Sequence, residues 1–504
     1  MSSIQQSIGI SGAAVYLPPY RVDLEAWCDW YDQPWDKIRN VVGTSFRVRG
    51  STENVYTMAA SAVVELIERY DVDPGRIRFL ALGTESSTDN AAGTVVVKGL
   101  VNRALARLGR PPISRYCEVP EFKHACLGGV YGLKNAVRFL AFEPGDPLAI
   151  VVSGDVAEYA RGSSGEPTQG AGAVAMLVEK NPKLLELRLE AAGSASDDRR
   201  VDFRKPIGRM LGEQQRVLGQ IRDFPVFNGK YSTTCYLDAT LHAVRDMLIR
   251  RTRHAAGYLR DLRAAFFHRP YRRMPESGLL LSYLMALSVG SRADRELFRA
   301  ACETAGVDPE DCAAELKRSP DFTPIIESRQ IDEEVYPLAM GALKAFRGTP
   351  EAKAMLAQSF GLGAESMGDV GNLYTAALPA WVAAGFEEAA GTGEELVGRE
   401  VLLMGYGSGD AAEAIPCIVR PEWREAAGRI GMADALAGGI DINRKQYEQL
   451  HDSGEADDLP APVGQRFALA GIGDSESGRF IDFGIEYYDC LVPEPAAAPA
   501  QASG

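Results

Sequence analysis

Two apolar segments, LAIVVSGDVA at Leu148–Ala157 and AVAMLVEK at Ala173–Lys180, decide the fold class of this chain. Each is a continuous apolar run of strand length, which is typical of a strand covered on both faces. Ahead of them, VYGLKNAVRFLAF at Val130–Phe142 has the apolar spacing of a helix. Strands that alternate with helices in this way predict an α/β fold.

The same order of elements returns later in the chain. RFLALGTESS (Arg78–Ser87) and RAAFFHRPYRRM (Arg263–Met274) are both apolar strands that open into polar loops. NLYTAALPAWVAAGF (Asn372–Phe386) is a polar turn followed by an apolar helix. EVLLMGYGSGDA (Glu400–Ala411) and EAIPCIVR (Glu413–Arg420) repeat the closely spaced pair of strands. Two halves with one element order predict an internal duplication.

The domain organisation follows from length and composition. A chain of 504 residues exceeds the size at which one hydrophobic core stops growing, so we expect two core-forming halves, at 1–195 and 196–420. A charged, helix-rich segment at about 276–366 is predicted to be an insertion packed on the second half. Residues 421–490 are predicted to form a C-terminal appendage. The low-complexity end of the chain predicts a disordered tail at 491–504.

The charge of the chain excludes one class of partner. Hydrophobic residues make up 46% of the sequence and charged residues 24%, as in globular proteins, and the formal net charge is -14. Because so acidic a surface repels phosphate backbones, we expect no nucleic-acid partner. A local basic patch remains compatible with a small anionic ligand.

The sequence predicts a cytoplasmic protein with no membrane partner. The start, MSSIQQSIGI, lacks the basic and apolar regions of a secretory signal peptide, and no apolar stretch has the length needed to cross a bilayer. The eight cysteines are scattered, without a CxxC pair or the Cys/His spacing of a zinc site. We therefore expect reduced thiols and no metal site.

The segment KHACLGGVYG contains the sharpest candidate for a reactive residue, Cys126. A strand is expected to end and a helix to begin here, and the N–H groups of a helix N-terminus lower the pKa of a thiol. Gly128 and Gly129 are expected to leave room for a substrate to approach the backbone. A buried cysteine that packs as a small hydrophobic side chain is the alternative from these residues alone.

Two further candidates lie at the ends of predicted strands, where the sites of α/β proteins gather. His268 is able to polarise a substrate carbonyl, although a strand-end histidine bonded to the backbone fits the local sequence as well. Glu85 would be a stronger base than a solvated glutamate, whose pKa is about 4.3, if burial raised its pKa. An exposed loop glutamate is the alternative.

Taken in order, these segments resemble the hydroxymethylglutaryl-CoA synthase family over roughly Gly9 to Arg420, with the insertion excepted. The resemblance rests on eight short motifs in the order of the family: TES (Thr84–Ser86), HACLGG (His124–Gly129), SGEPTQGAGAVAM (Ser164–Met176), DFRKP (Asp202–Pro206), NGKYSTTCYL (Asn228–Leu237), FHRPYRRM (Phe267–Met274), GNLYTAAL (Gly371–Leu378) and YGSG (Tyr406–Gly409).

The resemblance implies a duplicated thiolase-like fold, layered α-β-α-β-α, and an acyltransferase that forms a carbon–carbon bond. Cys126 would take an acetyl group from acetyl-CoA as a thioester, and Glu85 would remove a proton from the acetyl methyl group. The resulting enolate would add to the ketone of acetoacetyl-CoA, or of a related β-ketoacyl thioester, which His268 would polarise. Water would then release the product.

The resemblance also implies partners. Thr168, Ser232, Asn372 and Ser408 would line the substrate. The expected partners are coenzyme A thioesters or the thioester of an acyl carrier protein, with no cofactor, and the chain is expected to form a homodimer.

Four residues depart from the family pattern. Leu127 follows the nucleophile where most members have tyrosine, and Ser277 stands in the place of a lysine that contacts coenzyme A. Trp35 lies in a segment where many members have small and acidic residues, and Asp410 adds a charge after the YGSG turn. Since the catalytic trio is intact, the chemistry is predicted more firmly than the carrier of the thioester.

Three alternatives stay open on the same fold. One is a carrier-protein-dependent synthase that installs β-branches on polyketides, so the pathway, mevalonate or β-branching, is left undecided. Another is a ketoacyl synthase that uses Cys126, His268 and Asn372 for decarboxylative condensation. Glu85 argues against it, because decarboxylation generates the carbanion without a base. The third is a non-catalytic scaffold.

Overall fold

A computed structural model gives the structure of the protein. It describes residues 7–88, 92–206, 216–217, 220–221, 224–226, 228–251, 254–462 and 464–493. Of the tail predicted at 491–504, residues 494–504 lie outside the described part of the chain.

The strands are β1 (Ile8–Tyr16), β2 (Tyr20–Asp23), β3 (Ser45–Val48), β4 (Ile77–Gly83), β5 (Glu121–Phe122), β6 (Leu148–Ala157), β7 (Gly170–Lys180), β8 (Leu185–Leu187), β9 (Gly193–Ser196), β10 (Arg216–Val217), β11 (Gln220–Ile221), β12 (Ala264–Phe267), β13 (Glu400–Gly407), β14 (Ala411–Val419), β15 (Ile440–Asp441), β16 (Phe467–Ile472) and β17 (Glu486–Cys490). The helices are α1 (Leu24–Tyr31), α2 (Trp35–Val41), α3 (Val55–Arg69), α4 (Gly93–Arg107), α5 (Gly128–Phe142), α6 (Gly229–Arg250), α7 (Ala255–Asp261), α8 (Arg273–Ser288), α9 (Arg292–Ala305), α10 (Pro309–Glu315), α11 (Thr323–Ser328), α12 (Pro337–Arg347), α13 (Pro350–Phe360), α14 (Ala377–Thr392), α15 (Trp423–Ala427), α16 (Met432–Ala437) and α17 (Arg444–Ser453).

A ten-stranded sheet runs through the protein in the order β12-β13-β14-β8-β1-β7-β6-β4-β5, with β9 paired to β14. In the first half, β4 is parallel to β6, and β6, β7 and β1 follow one another antiparallel. In the second half, β12 is parallel to β13, and β13, β14 and β9 follow antiparallel. The predicted duplication is thus present as one topology used twice.

The helices form the remaining layers. Helix α3 packs on β1, β6 and β7, with α4 against it, and α6 packs on β9 and β14, with α8 against it. Between the two halves of the sheet, α5 contacts β4 and β6, and α14 contacts β12, β13, β1 and β7. This order of layers is α-β-α-β-α, as predicted. The two central helices are where polar residues of both halves can meet.

The helix-rich segment expected at about 276–366 starts within α8, whose first residue is Arg273. Helix α8 is buried over most of its length because it packs against α6, and α9 and α12 pack against α8 in turn. The stretch beyond Arg420 also contacts the core: β15 pairs with β2, and the β16–β17 hairpin lies on α3 and α4.

Each of the eight cysteines, all of which the structure describes, is a buried free thiol. Within the described ranges, no helix combines the length and the apolar character required to cross a lipid bilayer.

Candidate active site

Cys126 lies in a tight turn between β5 and α5, two residues before the helix begins. The preceding residue, Ala125, has a φ of 41°, in the left-handed region that side-chain-bearing residues seldom adopt. The Cys126 side chain is 6% exposed and packs against Tyr159, Tyr374 and Phe203. A strained backbone therefore turns this thiol into an apolar pocket.

Gly128 and Gly129 serve a different purpose from the one predicted. A Cβ on Gly128 would lie 2.4 Å from the carbonyl oxygen of Phe122, and one on Gly129 would lie 2.0 Å from Oγ of Ser153. The two glycines therefore let the first turn of α5 press against the sheet, and they leave no room there for a substrate. The predicted role was wrong because the space is taken by the backbone of Phe122 and the side chain of Ser153.

Glu85 is held next to the thiol. Its Oε1 accepts a hydrogen bond of 3.3 Å from Sγ of Cys126. Its backbone N–H donates to Oδ1 of Asp155 at 2.8 Å, and Thr84 Oγ1 donates to the same oxygen at 2.9 Å. The other carboxylate oxygen of Asp155 accepts from the backbone N–H of Thr375 at 2.9 Å. Asp155 thus joins the loop after β4 to the turn before α14.

The predicted lowering of the Cys126 pKa is wrong for the resting protein. Burial raises the pKa of this thiol well above its ordinary value, and the neighbouring Glu85 and Asp155 carboxylates raise it further. The backbone N–H of Cys126 acts in the opposite direction, but it is outweighed. A group buried beside negative charge is disfavoured as an anion, so Cys126 rests as a thiol whose proton points at Glu85.

His268 directly follows β12, and its backbone N–H donates to the carbonyl of Met404 at 2.7 Å. Its imidazole is 2% exposed, and its ring lies nearly parallel to that of Tyr406, with 6.4 Å between the centroids. Burial lowers the pKa of His268 to about 3, so the ring is neutral near pH 7. A neutral imidazole keeps one N–H that can donate to a carbonyl oxygen.

One cavity of about 610 Å³ contains the thiol and the imidazole. Its inner end is formed by buried residues such as Cys126, His268 and Asn372, and its outer end by exposed residues of the α1–α2 region, including Gln33 and Lys37. A cavity that leads from exposed residues to a buried reactive group suits a substrate carried on an extended arm.

The four predicted lining residues, Thr168, Ser232, Asn372 and Ser408, all lie on this cavity. The backbone N–H of Asn372 donates to the carbonyl of Thr168 at 2.8 Å, which joins the β6–β7 connection to the turn before α14. Oγ of Ser232, at the start of α6, has no hydrogen-bond partner in the described ranges, so it is available to a ligand.

Glu85 itself faces a second, more polar cavity of about 480 Å³. This cavity is lined by Arg49, Ser86, Glu158 and Lys205, among others, and Nζ of Lys205 donates to the backbone carbonyl of Glu85 at 3.2 Å. The carboxylate therefore stands between two compartments, touching the thiol on one side and a polar space on the other. No local sequence pattern indicates this second cavity.

Comparison with known proteins agrees with the geometry. A family model described as the N-terminal part of hydroxymethylglutaryl-coenzyme A synthase matches residues 4–183. A hydroxymethylglutaryl-CoA synthase of Haloferax volcanii is 28% identical over 408 residues, which cover 79% of this chain and 80% of that protein. One from Enterococcus faecalis is 32% identical over 276 residues, covering 54% of this chain and 64% of that protein.

Solved structures extend the match over nearly the whole chain. MvaS in complex with 3-hydroxy-3-methylglutaryl coenzyme A superposes with a TM-score of 0.73 and 26% identity, covering 97% of this chain and 100% of that one. Over most of its length, the chain is therefore similar to hydroxymethylglutaryl-CoA synthases. The HMG synthase of the curacin pathway in complex with its acetyl donor-ACP has a TM-score of 0.68 at 20% identity, covering 96% and 100% of the two chains, and supports the fold alone.

The hydroxymethylglutaryl-CoA synthase family is the one that the sequence motifs resemble, and its members have the predicted thiolase-like fold. The family prediction, the fold prediction and the predicted enzyme class, an acyltransferase that forms a carbon–carbon bond, are confirmed.

Two of the residues that depart from the family pattern, Leu127 and Ser277, make close contacts in the structure. Leu127 is fully buried and packs so closely on β13 that a Cβ on Gly405 would lie 2.6 Å from its Cδ1. Oγ of Ser277 accepts a hydrogen bond of 2.6 Å from Arg347, on α12 of the helix-rich segment. A guanidinium from another part of the chain therefore stands beside Ser277.

Sequence reasoning missed two supports of the candidate active site. Asp155 is the only charged residue in the apolar run LAIVVSGDVA, which was the available indication of its role. Tyr447, on α17, donates to Oε1 of Glu166 at 2.7 Å and accepts from Nε2 of Gln169 at 2.8 Å. The C-terminal helix thus braces the segment that holds Thr168, which no local pattern indicates.

Proposed function

We propose that this chain is a hydroxymethylglutaryl-CoA synthase in which Cys126, Glu85 and His268 do the chemistry. An acetyl group on Cys126 would be converted to an enolate that adds to the ketone of acetoacetyl-CoA or a related β-ketoacyl thioester. The observation that carries the proposal is the 3.3 Å contact between Sγ of Cys126 and Oε1 of Glu85, at the inner end of a cavity shared with His268.

The first step is acetyl transfer. Since the pKa of Cys126 is raised, the thiol must lose its proton while it attacks, and the Glu85 carboxylate that already accepts its hydrogen bond takes it. The sulfur forms a thioester with the acetyl carbon, and the thiolate of the donor leaves and is protonated. Glu85 returns to its ionised form by passing its proton to that thiolate or to water in the polar cavity behind it.

The second step makes the carbon nucleophile. With the acetyl group on sulfur, the methyl protons replace the thiol proton as the acid nearest to Glu85. The carboxylate removes one of them, and the electron pair moves into the enolate. Backbone N–H groups near Cys126 and Ser408 would stabilise the charge on the thioester oxygen. Covalent attachment saves an entropic cost that reaches about 7–11 kcal/mol.

The third step is addition to the ketone. Because its pKa is about 3, His268 acts as a neutral hydrogen-bond donor to the ketone oxygen and not as a cation. The enolate carbon bonds to the ketone carbon, and the ketone oxygen becomes a hydroxyl group by taking up the proton that Glu85 removed from the methyl group, which returns Glu85 to its ionised form. Water then cleaves the thioester to Cys126, which releases the carboxylic acid and the free thiol.

The carrier of the substrates would be recognised at the outer end of the cavity. Lys37 lines the cavity, as do Tyr271, which precedes α8, and Met274 in the first turn of that helix. Arg273 is exposed at the start of the same helix, and Arg347 reaches Ser277 one turn further on. In a protein with a net charge of -14, this basic group favours a phosphate-bearing carrier, either coenzyme A or the phosphopantetheine arm of a carrier protein.

The remaining features belong to the same proposal. The acyl transfer and the condensation need neither a redox nor a metal cofactor. The functional unit would be a homodimer in the cytoplasm, and its mass in solution, measured by light scattering, tests the dimer directly.

The decisive experiment is intact-mass analysis after incubation with acetyl-CoA. The wild type is expected to gain one acetyl group and Cys126→Ala none, with Cys490→Ala as a matched control that still gains it. Adding acetoacetyl-CoA should remove the acetyl group and yield hydroxymethylglutaryl-CoA. A wild-type protein that never gains the group would show a scaffold without turnover.

A comparison of donors and acceptors separates the close relatives. Acetoacetyl-CoA that is turned over much faster than an acetoacetyl carrier protein identifies coenzyme A as the carrier, and the reverse identifies a β-branching synthase. Dependence on malonyl-CoA, together with an active Glu85→Gln variant, would mean decarboxylative condensation and would contradict the proposal.

A further inference from the structure

Two carboxylates share one hydroxyl group beneath the cavity. The hydroxyl of Tyr406 lies 2.8 Å from Oδ2 of Asp202 and 2.6 Å from Oδ1 of Asp410. Asp202 is fully buried and Asp410 is 3% exposed. Asp202 belongs to the DFRKP motif and Asp410 is the residue that departs from the family pattern, so their meeting was not predicted.

The contacts of the Tyr406 hydroxyl group require that one carboxyl group of the pair carries a proton. A tyrosine hydroxyl has one proton to donate, yet both contacts are as short as hydrogen bonds between oxygen atoms. If both carboxyl groups were ionised, one contact would join two lone pairs without a proton between them. The second contact therefore requires a proton on Asp202 or Asp410.

The charges around Asp202 and Asp410 also require one proton on the pair. Within the described part of the chain, Arg199 is the cation that forms an ion pair with this group, with its Nε 4.0 Å from Oδ2 of Asp410. Its NH2 group, however, lies 2.5 Å from Oδ2 of the buried Asp238, which already balances its charge. One oxygen of each carboxylate, Oδ1 of Asp202 and Oδ2 of Asp410, has no hydrogen-bond partner among the residues that the structure describes. Two further full charges in so dry a place would be uncompensated, so one carboxyl group keeps its proton.

The titratable and charged groups around the pair come from four parts of the chain. They are Tyr231, Cys235 and Asp238 on α6, Asp197 and Arg199 on the loop before it, Tyr406 on β13 and His268 after β12. Burial, and then the charge of Asp202, raise the pKa of Asp410 well above its ordinary value. Burial also raises the pKa of Cys235.

We propose that Asp410 and Asp202 form a proton-sharing pair that fixes Tyr406 and, through it, the imidazole of His268. The two rings are 22° from parallel, and no described residue forms a hydrogen bond with Nδ1 of His268. The ring is therefore held mainly by packing, and Tyr406 supplies part of that packing. Asp410 is a positioning residue, and the functional part of this inference rests on the proposed condensing reaction.

The shared proton makes the arrangement sensitive to alkaline pH. When the pair loses its proton, the two carboxylates repel each other and Tyr406 can bond to only one of them. Condensation should then slow, while acetylation of Cys126, which does not use His268, should not. Asp410→Asn would keep the shape of the side chain and would supply an N–H donor in place of the carboxyl proton, but it would not titrate. Asp410→Ala would remove both the shape and the donor.

The first test is independent of activity. The infrared spectrum of the wild type at pH 7 should contain a buried carboxylic-acid band that is missing from Asp410→Asn, and elemental analysis should find no bound metal. Absence of that band would overturn the shared proton. A stoichiometric metal ion in the wild type, lost in Asp410→Asn, would also overturn it, since the ligand atoms of Asp202, Cys235 and Asp410 all lie within 4.8 Å of one another.

The second test follows kcat against pH with acetoacetyl-CoA as the acceptor. Asp410→Asn should keep kcat near pH 7 within about threefold and move the alkaline decline upward by about one pH unit or more, whereas Asp410→Ala should lose about tenfold or more. An unchanged alkaline decline in Asp410→Asn would overturn the positioning role. If Cys126 is never acetylated, the proposed function fails, and the infrared result still decides the proton-sharing pair.

Discussion

Glu85 and His268 occupy equivalent positions in the two halves of the protein. Glu85 follows β4, the strand parallel to β6, and His268 follows β12, the strand parallel to β13. Cys126 and Asn372 are related in the same way, since each precedes a central helix, α5 or α14. One duplicated framework therefore presents two pairs of positions, and the halves have filled them with different chemistry: a thiol and a carboxylate in one, an amide and an imidazole in the other.

Replacing Glu85 by Gln should stop condensation. The amide keeps the size of the side chain but accepts no proton, so the enolate cannot form. We expect turnover to fall by about 10²–10⁴-fold, the usual contribution of a general base. Exchange of the methyl protons of acetyl-CoA with deuterated water, followed by mass spectrometry, measures the step directly. Glu158→Gln, a glutamate of the second cavity, is the matched control, and equal loss in both variants would contradict a special role for Glu85.

The buried imidazole of His268 should make stability depend on pH. Its pKa is about 3 in the folded protein, against about 6.5 in an unfolded chain. Unfolding therefore takes up a proton between these values, so this contribution is complete above about pH 6.5 and is lost at up to about 1.4 kcal/mol per pH unit as the pH falls below it. Urea denaturation of the wild type and of His268→Gln at several pH values measures the difference. If the free energy of unfolding changes with pH in the same way in both proteins, the ring of His268 is not buried as a neutral base.

Replacing Asp155 by Asn should destabilise the site. Its carboxylate oxygens accept hydrogen bonds from Thr84, Glu85 and Thr375, and an amide would turn one acceptor into a donor that faces other donors. We expect a loss of about 1–3 kcal/mol in the free energy of unfolding, as for buried groups left unpaired. Denaturant titration measures it, with Asp261→Asn on the surface as the control. Equal stability of both variants would contradict the structural role of Asp155.

Adding a methyl group at Gly83 should displace the nucleophile. A Cβ there would lie 2.3 Å from the backbone nitrogen of Gly129, so α5 would have to move away from β4. We expect Gly83→Ala to lose about 1–3 kcal/mol of stability and to acetylate slowly. Thermal unfolding and intact-mass kinetics are the measurements. Gly391→Ala is the control, because nothing lies within 4 Å of a Cβ at that position; a similar, small effect of both changes would mean that the tight contact is not needed.

Arg347 should affect the binding of the carrier and not the chemistry. If its guanidinium contacts a phosphate group, Arg347→Gln should raise KM for the coenzyme A thioester by about tenfold and leave kcat unchanged, since a charge-assisted hydrogen bond is worth about 1.5–3 kcal/mol. Arg292→Gln, on the exposed surface of α9, is the matched control. An unchanged KM, or a fall in kcat alone, would exclude this role.

The sequence was sufficient for features that depend on local pattern. The apolar run at Leu148–Ala157 is β6 with the same bounds, and the polar ends of the predicted strands hold Glu85 and His268. Features that depend on contacts between distant segments could not be predicted from the sequence. The direction of the Cys126 pKa shift is one: the helix N-terminus favours a thiolate, but burial and Glu85, 41 positions away, outweigh it.

The bracing of Thr168 by α17 has a consequence for protein engineering. His451 contacts the carbonyl of Tyr159 at 2.8 Å, and the hydroxyl of Tyr447 forms hydrogen bonds with both Glu166 and Gln169. Helix α17 and a loop almost three hundred positions earlier in the chain are therefore complementary to each other. A chimaera that takes its catalytic half from this protein and its C-terminal end from a relative would separate that matched set. Crossover points for recombination should therefore keep residues 159–169 and α17 from the same parent.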